Sequence, residues 1–280
     1  MTEEAVIGTV AVLRRYPVKS MLGEDLLGCE VTSSGLSGDR VLGLVHRQTG
    51  KVASAKNPRL WRDLLRLHAS FGGPAVKITF PGGAVMADAD PGIDAALSEF
   101  LGQPVTLAAV PPPGATLDRA DPDEVLRDGI RAQVRVESGQ LGGAAPGGTF
   151  VDFAPLHLLT TSTLDRIGAL SPRGTVELER YRPNIVIRAG APGFAENDWA
   201  GRDLRIGPDL VIRVIARTPR CAVPTLEHGD LPRDTSALRV PAEYNRISAM
   251  ADFGPQPCAG VYAQVLTPGR VSRGDGVRLA

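Results

Sequence analysis

The sequence predicts a fold of mostly β-strands with a few helices (α+β), arranged as a barrel or a small sandwich. Short runs of apolar and β-branched residues recur along the chain, and Gly and Pro interrupt them at close intervals. Thr49-Gly50 and Gly82-Gly83 fall at predicted hairpin tips. With 280 residues, 43% of them hydrophobic, the chain has enough apolar material to bury real cores. We therefore expect a globular protein.

The predicted elements of the amino-terminal part are five strand segments and one helix. The strands are VIGTVAVLRRYPV, LLGCEVTS, RVLGLVHRQTGKVAS, AVKITFPGGAVM and PVTLAAV. The helix lies in PGIDAALSEFLG, where Asp94, Ala95, Leu97 and Phe100 fit helical spacing and Gly102 can end the helix. The stretch VPPPGATLDRADPDE follows and is rich in Pro and acidic residues. It predicts a boundary between a domain of residues 1–115 and a domain of residues 116–280.

The carboxyl-terminal part is also predicted to be rich in strands. LHLLTTSTLDRIGAL has the pattern of a strand that turns into a helix, with Ser162 or Thr163 as the N-cap. Further strands are predicted in RPNIVIRAG, DLRIGPDLVIRVIART, GVYAQVLTPGRVSRGD and GVRLA.

The charge and composition of the chain argue against nucleic-acid binding and membrane insertion. Thirty-one basic residues balance 31 acidic residues, so no overall field attracts nucleic acid or an anionic membrane. The amino terminus lacks the pattern of a signal peptide, and no segment approaches the roughly 20 apolar residues of a membrane span. We expect a cytoplasmic protein without nucleic-acid or membrane partners. The three cysteines and four histidines show neither a disulfide framework nor metal-ligand spacing.

Hydrogen-bond donors stand at the ends of several predicted strands. Arginine offers a planar fork of donors that matches phosphate or carboxylate, and lysine offers a point charge. A single such residue is more often a solvated surface charge, so the prediction depends on the set. If the loops converge, they form a pocket for a polyanion. The donors are Lys19, Ser20, Arg40, Arg182, Asn184 and Arg220.

Cys221 differs from the other two cysteines in its neighbours. It follows the apolar run DLVIRVIAR, and the positive charges of Arg217 and Arg220 favour the thiolate, which is the species that ligates metals or attacks substrates. The alternative is a small buried apolar residue. Cys258 lacks such neighbours and Cys29 stands beside a glutamate, so both are predicted to be structural. The sequence contains neither a GxSxG motif nor a P-loop.

A series of motifs resembles the MOSC family, named after the carboxyl-terminal part of molybdenum cofactor sulfurase. The motifs are YPVKSM.GE, GL.GDR, TGK…SAK..P.L, RYRPNIVI, FAENDW.G, L.IG, RC.VPT and G.V..GD.V.L. The resemblance covers roughly residues 5–110 and 120–279 and is strongest to the two-part members of the family. It implies a MOSC-type β-barrel core plus a smaller, β-rich amino-terminal domain.

The resemblance also implies a site. In such proteins the cysteine of the RC motif ligates molybdenum, which the dithiolene of a pterin holds, and basic residues of both domains grip the pterin phosphate. Cys221 is then the metal ligand and the catalytic residue. The implied cofactor contacts are Lys19, Ser20, Arg40, Thr161, Ser162, Arg182, Asn184 and Arg220.

The implied function is a molybdenum-cofactor-dependent oxidoreductase that reduces small N-oxygenated compounds, such as N-hydroxylated bases or amidoximes. The chain lacks the cysteines for an iron–sulfur cluster, so its electrons are expected from a separate protein such as a ferredoxin, a flavin reductase or a cytochrome-like protein. One alternative is a carrier of the cofactor, or of sulfur as a Cys221 persulfide, without redox turnover. Another is a β-barrel protein whose basic loops bind a different phosphate ligand.

Overall fold

The computed structural model describes residues 6–250 and 254–280. The strands are β1 (Val6–Arg15), β2 (Glu24–Leu26), β3 (Gly28–Thr32), β4 (Gly35–Leu36), β5 (Gly43–His46), β6 (His68–Gly72), β7 (Ala75–Thr79), β8 (Val85–Ala87), β9 (Val105–Ala108), β10 (Thr116–Ala120), β11 (Val136–Gln140), β12 (Leu156–Thr160), β13 (Ile185–Ala189), β14 (Asp203–Ile206), β15 (Leu210–Pro219), β16 (Arg246–Ser248), β17 (Pro255–Thr267), β18 (Gly269–Ser272) and β19 (Gly276–Leu279). The helices are α1 (Pro58–Trp61), α2 (Ile93–Leu101), α3 (Pro122–Asp128), α4 (Thr161–Leu170) and α5 (Ser236–Tyr244). This confirms the predicted fold class.

Seven strands close into a barrel in the order β12, β13, β1, β19, β14, β15 and β17, and β17 pairs back with β12. The β12–β13 pair is parallel, and the other neighbours are antiparallel. Successive side chains of a strand point to opposite faces, so alternation in the sequence fills the barrel. In β15, Leu210, Ile212 and Val214 are fully buried, whereas Arg213 between them is exposed.

The first strand belongs to this barrel. Leu13 of β1 pairs with Ile185 of β13, and Gly8 of β1 pairs with Val277 of β19. The described part of the chain therefore begins in the barrel, leaves it for the smaller unit and returns. The residues before position 115 thus contribute strands to both units. The domain boundary at residue 115 stays a prediction.

The smaller unit contains the β5–β9 pair, the β6–β7–β8 meander, α1 and α2. Its core includes Val18, Leu64, Ile78, Leu97 and Val105. The predicted helix is confirmed as α2, which ends at Gly102 in the left-handed conformation (φ 64°). The Gly82-Gly83 turn joins β7 to β8, as the sequence predicts.

The start of α4 corrects one prediction. Thr160 at the end of β12 is the N-cap, since its Oγ1 accepts a hydrogen bond from the backbone nitrogen of Thr163 at 3.1 Å. The expected caps, Ser162 and Thr163, instead lie inside the helix. The strand runs directly into the helix, and only Thr160 has the extended backbone (φ −104°, ψ 153°) that a cap requires.

A two-stranded sheet of β10 and β11 lies between the two units. Its first strand is fixed to the smaller unit, because the Val52 nitrogen donates to the Thr116 carbonyl at 2.8 Å and the Ala120 nitrogen donates to the Lys56 carbonyl at 3.0 Å. The residues of β11 are all exposed. None of the helices in the described chain has the length and apolar character needed to cross a membrane.

Candidate functional site

A cavity of about 350 Å³ lies where the barrel, the smaller unit and the β10–β11 sheet meet. The smaller unit contributes the loop after β1 and the segment around Lys56, and the barrel contributes the ends of β12, β13 and β15. Residues far apart in the sequence converge here. Seven of the predicted site residues line the cavity: Lys19, Ser20, Arg40, Arg182, Asn184, Arg220 and Cys221.

Thr161 and Ser162 do not line the cavity. They form the first turn of α4, where the Ser162 hydroxyl lies 3.0 Å from Thr160 Oγ1. Thr160 and Thr163 donate to the fully buried carboxylate of Glu196, at 2.6 Å and 2.7 Å from its Oε2. Burial raises the pKa of Glu196 despite these hydrogen bonds. The hydroxyl groups at the strand–helix junction thus stabilise a cap and a buried carboxylate.

Three residues of the cavity have a left-handed backbone. The non-glycine residues with positive φ in the described chain are Ser20 (φ 63°), Arg40 (φ 48°) and Arg182 (φ 55°). All three line the cavity. This conformation costs a non-glycine residue about 1–2 kcal/mol. Strained backbone persists where the surrounding structure fixes it, and it concentrates at functional sites.

The guanidinium of Arg182 stands in the cavity with free hydrogen-bond donors. Its Nη1 and Nη2 are buried and have no hydrogen-bond partner among the described residues. Its Cζ lies 4.3 Å from the ring centroid of Tyr16, and the Cζ of Arg40 lies 4.9 Å from the same centroid. Burial lowers the pKa of Arg182 to about 10. A buried guanidinium with free donors is costly without a partner, so this arrangement favours an anion in the cavity.

Asn184 connects three segments of the site. Its Oδ1 accepts from Arg40 Nη1 at 3.2 Å and from the backbone nitrogen of His157 at 3.1 Å. Its Nδ2 donates to the Arg14 carbonyl at 3.3 Å. Arg40 Nη1 also donates to the buried carboxylate of Asp39. The amide of Asn184 therefore holds the arginine of the smaller unit against the barrel.

His157 contacts two arginines of the cavity lining, Arg182 and Arg220. Its Nε2 lies 3.4 Å from Arg220 Nη1, and its Nδ1 lies 3.4 Å from the Arg182 carbonyl. A guanidinium only donates, so Nε2 accepts and Nδ1 carries the proton. Burial and the charge of Arg220 lower the pKa of His157 to about 3. Arg220 Nη2 donates to the Tyr181 carbonyl at 2.9 Å, and its Nε is buried without a partner in the described chain.

Cys221 is the cysteine of the cavity wall. Cys221 follows the end of β15 and is 7% exposed. The backbone nitrogen of the preceding residue, Arg220, donates to the Pro257 carbonyl at 2.7 Å. All three cysteines are free, and neither Cys29 nor Cys258 lines the cavity. Burial raises the pKa of Cys258 to about 11. Of the three cysteines, Cys221 is the one that lines the cavity together with the basic residues.

Sequence reasoning missed several lining residues: Lys56, Arg119, Asp152, His157 and Tyr262. Lys56 belongs to the SAK motif that carries the family resemblance, so a signal for it was present. No sequence signal marked Asp152, because it follows a glycine-rich stretch without a recognisable motif.

Asp152 joins two lysines in the cavity. Its Oδ1 accepts from Lys19 Nζ, and its Oδ2 lies 3.2 Å from Lys56 Nζ. Lys19 Nζ also donates to the Phe150 carbonyl at 3.0 Å. Burial lowers the pKa of Lys19 to about 8. Burial alone would raise the pKa of Asp152, but the two lysine charges outweigh it and hold that pKa well below its usual range.

Cationic residues outnumber carboxylates in the lining. Across the described ranges, no group of three or more His, Cys, Asp or Glu side chains could hold one metal ion. The cavity offers instead a single thiol among guanidinium and ammonium groups, which suits an anionic group of several charges beside a thiolate ligand. The lining cations are Lys19, Arg40, Lys56, Arg119, Arg182, Arg217 and Arg220, and the lining carboxylates are Glu137 and Asp152.

Two family models match this chain, and two curated relatives align with it. Residues 147–278 match the family model of the MOSC domain, and residues 7–87 match that of the MOSC N-terminal β-barrel domain. Mitochondrial amidoxime-reducing component 1 of Mus musculus is 27% identical over 98% of this chain and 82% of its own length. Mitochondrial amidoxime reducing component 2 of Rattus norvegicus is 27% identical over 46% of this chain and 37% of its own length.

Solved structures are more distant in sequence. The YuaD protein from Bacillus subtilis aligns over 100% of this chain and 98% of its own, with a TM-score of 0.43 and 11% identity. YiiM from Geobacillus stearothermophilus aligns over 45% of this chain and 54% of its own, with a TM-score of 0.32 and 14% identity. The two domain matches, in the order in which the sequence carries the corresponding motifs, confirm the predicted resemblance: the chain belongs to the MOSC-domain family.

Proposed function

We propose that this protein is an oxidoreductase that uses a molybdenum–pterin cofactor to reduce N-oxygenated compounds. The observation that carries the proposal is the convergence of the Cys221 thiol with basic groups of both units, among them the guanidinium of Arg182 with its free donors. Membership of the MOSC-domain family supports a function related to the molybdenum cofactor. The names of the mouse and rat relatives support amidoxime-like substrates.

The residues present fit such a cofactor. Its phosphate needs several strong donors, and the cavity offers free donors on Arg182 and Arg220 together with the ammonium groups of Lys19 and Lys56. Its metal needs a soft ligand, and Cys221 stands in the same cavity. The phosphate would be held by Arg182, Arg220, Lys19 and Lys56. The protein ligand of the metal would be Cys221.

The chemistry that the bound cofactor supplies is two-electron reduction with removal of one oxygen atom from the substrate. The protein contributes position and electrostatics. The left-handed backbones of Arg40 and Arg182 fix where their guanidinium groups point, and Asn184 and His157 hold those residues in place. Because the pKa of His157 is about 3, its ring is neutral at physiological pH and adds no positive charge to the cavity. A separate electron-transfer protein is the proposed source of electrons.

The test compares metal, pterin and turnover in the wild type and in Cys221→Ala. Protein from a host that makes the cofactor is analysed for molybdenum and for pterin fluorescence after oxidation. It is then assayed with an N-hydroxylated base and an artificial reductant. Cys258→Ala is the matched control, because Cys258 is a buried free cysteine outside the cavity.

We expect near-stoichiometric metal and turnover in the wild type and the control, and loss of turnover in Cys221→Ala. Metal without turnover in every protein would indicate a cofactor carrier. A persulfide on Cys221 without molybdenum would indicate sulfur transfer. Absence of metal and pterin from all three proteins would leave another phosphate ligand as the better interpretation.

A further inference from the structure

We propose that the carboxylate of Asp152 occupies an oxyanion subsite between Lys19 and Lys56, and that an anionic ligand binds there by displacing it. Asp152 would then be an internal counter-ion, which holds the two lysines in place until a ligand arrives. The proposal rests on the proposed function only in that the cavity binds an anionic group. It requires neither molybdenum nor turnover.

The geometry of the ion pairs supports this role. Each oxygen of Asp152 faces a different lysine: Oδ1 accepts from Lys19 Nζ, and Oδ2 lies 3.2 Å from Lys56 Nζ. The side chains of the lysines are 4% and 18% exposed, so their charges are largely withdrawn from water. A carboxylate that bridges two buried ammonium groups has the position and chemistry that an oxyanion would have.

Asp152 differs from the lysines in its freedom to move. Its side chain is 33% exposed and lines the cavity, so rotation can carry the carboxylate towards solvent. Lys19 is fixed more firmly, because its Nζ also donates to the Phe150 carbonyl at 3.0 Å. Lys19 therefore forms the stationary part of the subsite, and the carboxylate of Asp152 forms the exchangeable part.

The charge balance explains why exchange is favourable for a ligand with several charges. Asp152 supplies one negative charge to a lining in which cationic residues outnumber carboxylates. The second carboxylate, Glu137, lies on exposed β11, within 4.0 Å of Arg135. A doubly charged oxyanion brings one more negative charge than Asp152 and more acceptor oxygens, so it offsets more of the positive charge of the lining.

The experiment measures sulfate binding by calorimetry at constant ionic strength and neutral pH, on protein prepared without cofactor. Asp152→Asn removes the competitor, so sulfate should bind at least tenfold more tightly, a change of about 1.4 kcal/mol. Asp118→Asn is the control. Asp118 pairs with Lys51 at 2.7 Å outside the lining, so this variant loses the same charge and should bind sulfate like the wild type.

A double-mutant cycle separates displacement from a general effect of charge. If Asp152 must leave Lys56 before the ligand binds, Lys56→Gln should weaken sulfate binding at least fivefold more when combined with Asp152→Asn than it does in the wild-type background. Equal losses in both backgrounds would overturn the proposal. If Asp152→Asn folds poorly, the comparison of Lys56→Gln with the double variant tests displacement from Lys19 alone: the double variant should bind sulfate more tightly, and equal affinities would overturn the proposal.

The outcomes for this subsite and for the redox function are independent. Unchanged sulfate affinity in Asp152→Asn, or no sulfate binding in any variant, overturns the counter-ion role even if the wild type contains molybdenum. The predicted sulfate affinities in a protein that acquires no molybdenum would support the subsite and count against the redox function.

Discussion

Arg182 stacks on Tyr16, with its guanidinium carbon 4.3 Å from the ring centroid, and this contact replaces the counter-ion that a buried arginine normally has. The Tyr16 hydroxyl donates to the Pro183 carbonyl at 3.2 Å, and burial raises the pKa of Tyr16 to about 12, so the ring stays neutral. A neutral aromatic face stabilises the charge without using its hydrogen-bond donors. Those donors remain available for a ligand.

Arg182→Ala should weaken the binding of sulfate by tenfold or more, because a hydrogen bond to a charged group contributes about 1.5–3 kcal/mol. The ligand-free variant should be as stable as the wild type or more stable, since it no longer buries an unpaired charge. Calorimetry and urea unfolding measure the two effects. Arg188→Ala, which removes an exposed arginine of β13, is the control and should change neither.

Sulfate binding should weaken between pH 7 and pH 9. The pKa of Lys19 is about 8, below its ordinary value of 10.5, because the side chain is buried. Its charge is present below pH 8 and is lost above it, so affinity should fall about tenfold by one pH unit above the pKa. Lys19→Arg keeps its charge and should remove this dependence. Persistence of the same pH profile in Lys19→Arg would show that another group titrates.

Stability should decrease as the pH falls below 6.5. Burial lowers the pKa values of His157 and His228 to about 3, from 6.5 in the unfolded chain. The neutral rings stabilise the fold above pH 6.5, and below it the unfolded state takes up protons that the folded state does not. Each histidine should therefore reduce the free energy of unfolding by about 2 kcal/mol between pH 6.5 and pH 5.

Urea unfolding at these two pH values tests the histidine prediction. His157→Gln and His228→Gln should each have a smaller difference between the two pH values than the wild type. His68→Gln is the control, because His68 is only half-buried. Equal pH dependence in the wild type and the two buried-site variants would contradict the prediction.

Gly260→Ala should destabilise the protein by about 2 kcal/mol or more. Gly260 has φ 83°, and an added Cβ would lie 2.4 Å from His157 Nε2 and 2.5 Å from the Leu158 carbonyl oxygen. Gly190→Ala is the control, since a Cβ there would meet no described atom within 4 Å. Equal midpoints of urea unfolding for the two variants would show that the chain around His157 adjusts.

Local patterns predicted the elements of this fold better than their connections. The spacing of Asp94, Leu97 and Phe100 and the stop at Gly102 correctly predicted α2, because both depend on neighbouring residues alone. The N-cap of α4 was misplaced by two or three residues, because several hydroxyl groups stand in succession and only the tertiary position of β12 selects Thr160. The place of β1 in the barrel depends on partners that lie far along the chain.

The candidate site was predictable to the extent that its residues stand in motifs. Lys19, Arg40, Arg182 and Cys221 were identified at strand ends, and the fold brings them together. Asp152 was not identified, because its importance arises from two lysines that are distant in the sequence. Spatial neighbours, and not sequence spacing, determine which carboxylate enters a basic cavity.

The pairing of β1 with β19 has a consequence for biosynthesis. Gly8 of β1 pairs with Val277 of β19, and nearly the whole chain lies between them. The barrel therefore cannot close until the ribosome has made almost all of the described residues. A nascent or prematurely terminated chain lacks the closed barrel and, with it, the rigid wall that presents Cys221 and Arg182. The cavity that both units build therefore exists only after nearly all of the described residues have been made and the barrel has closed, so shorter fragments lack this binding site.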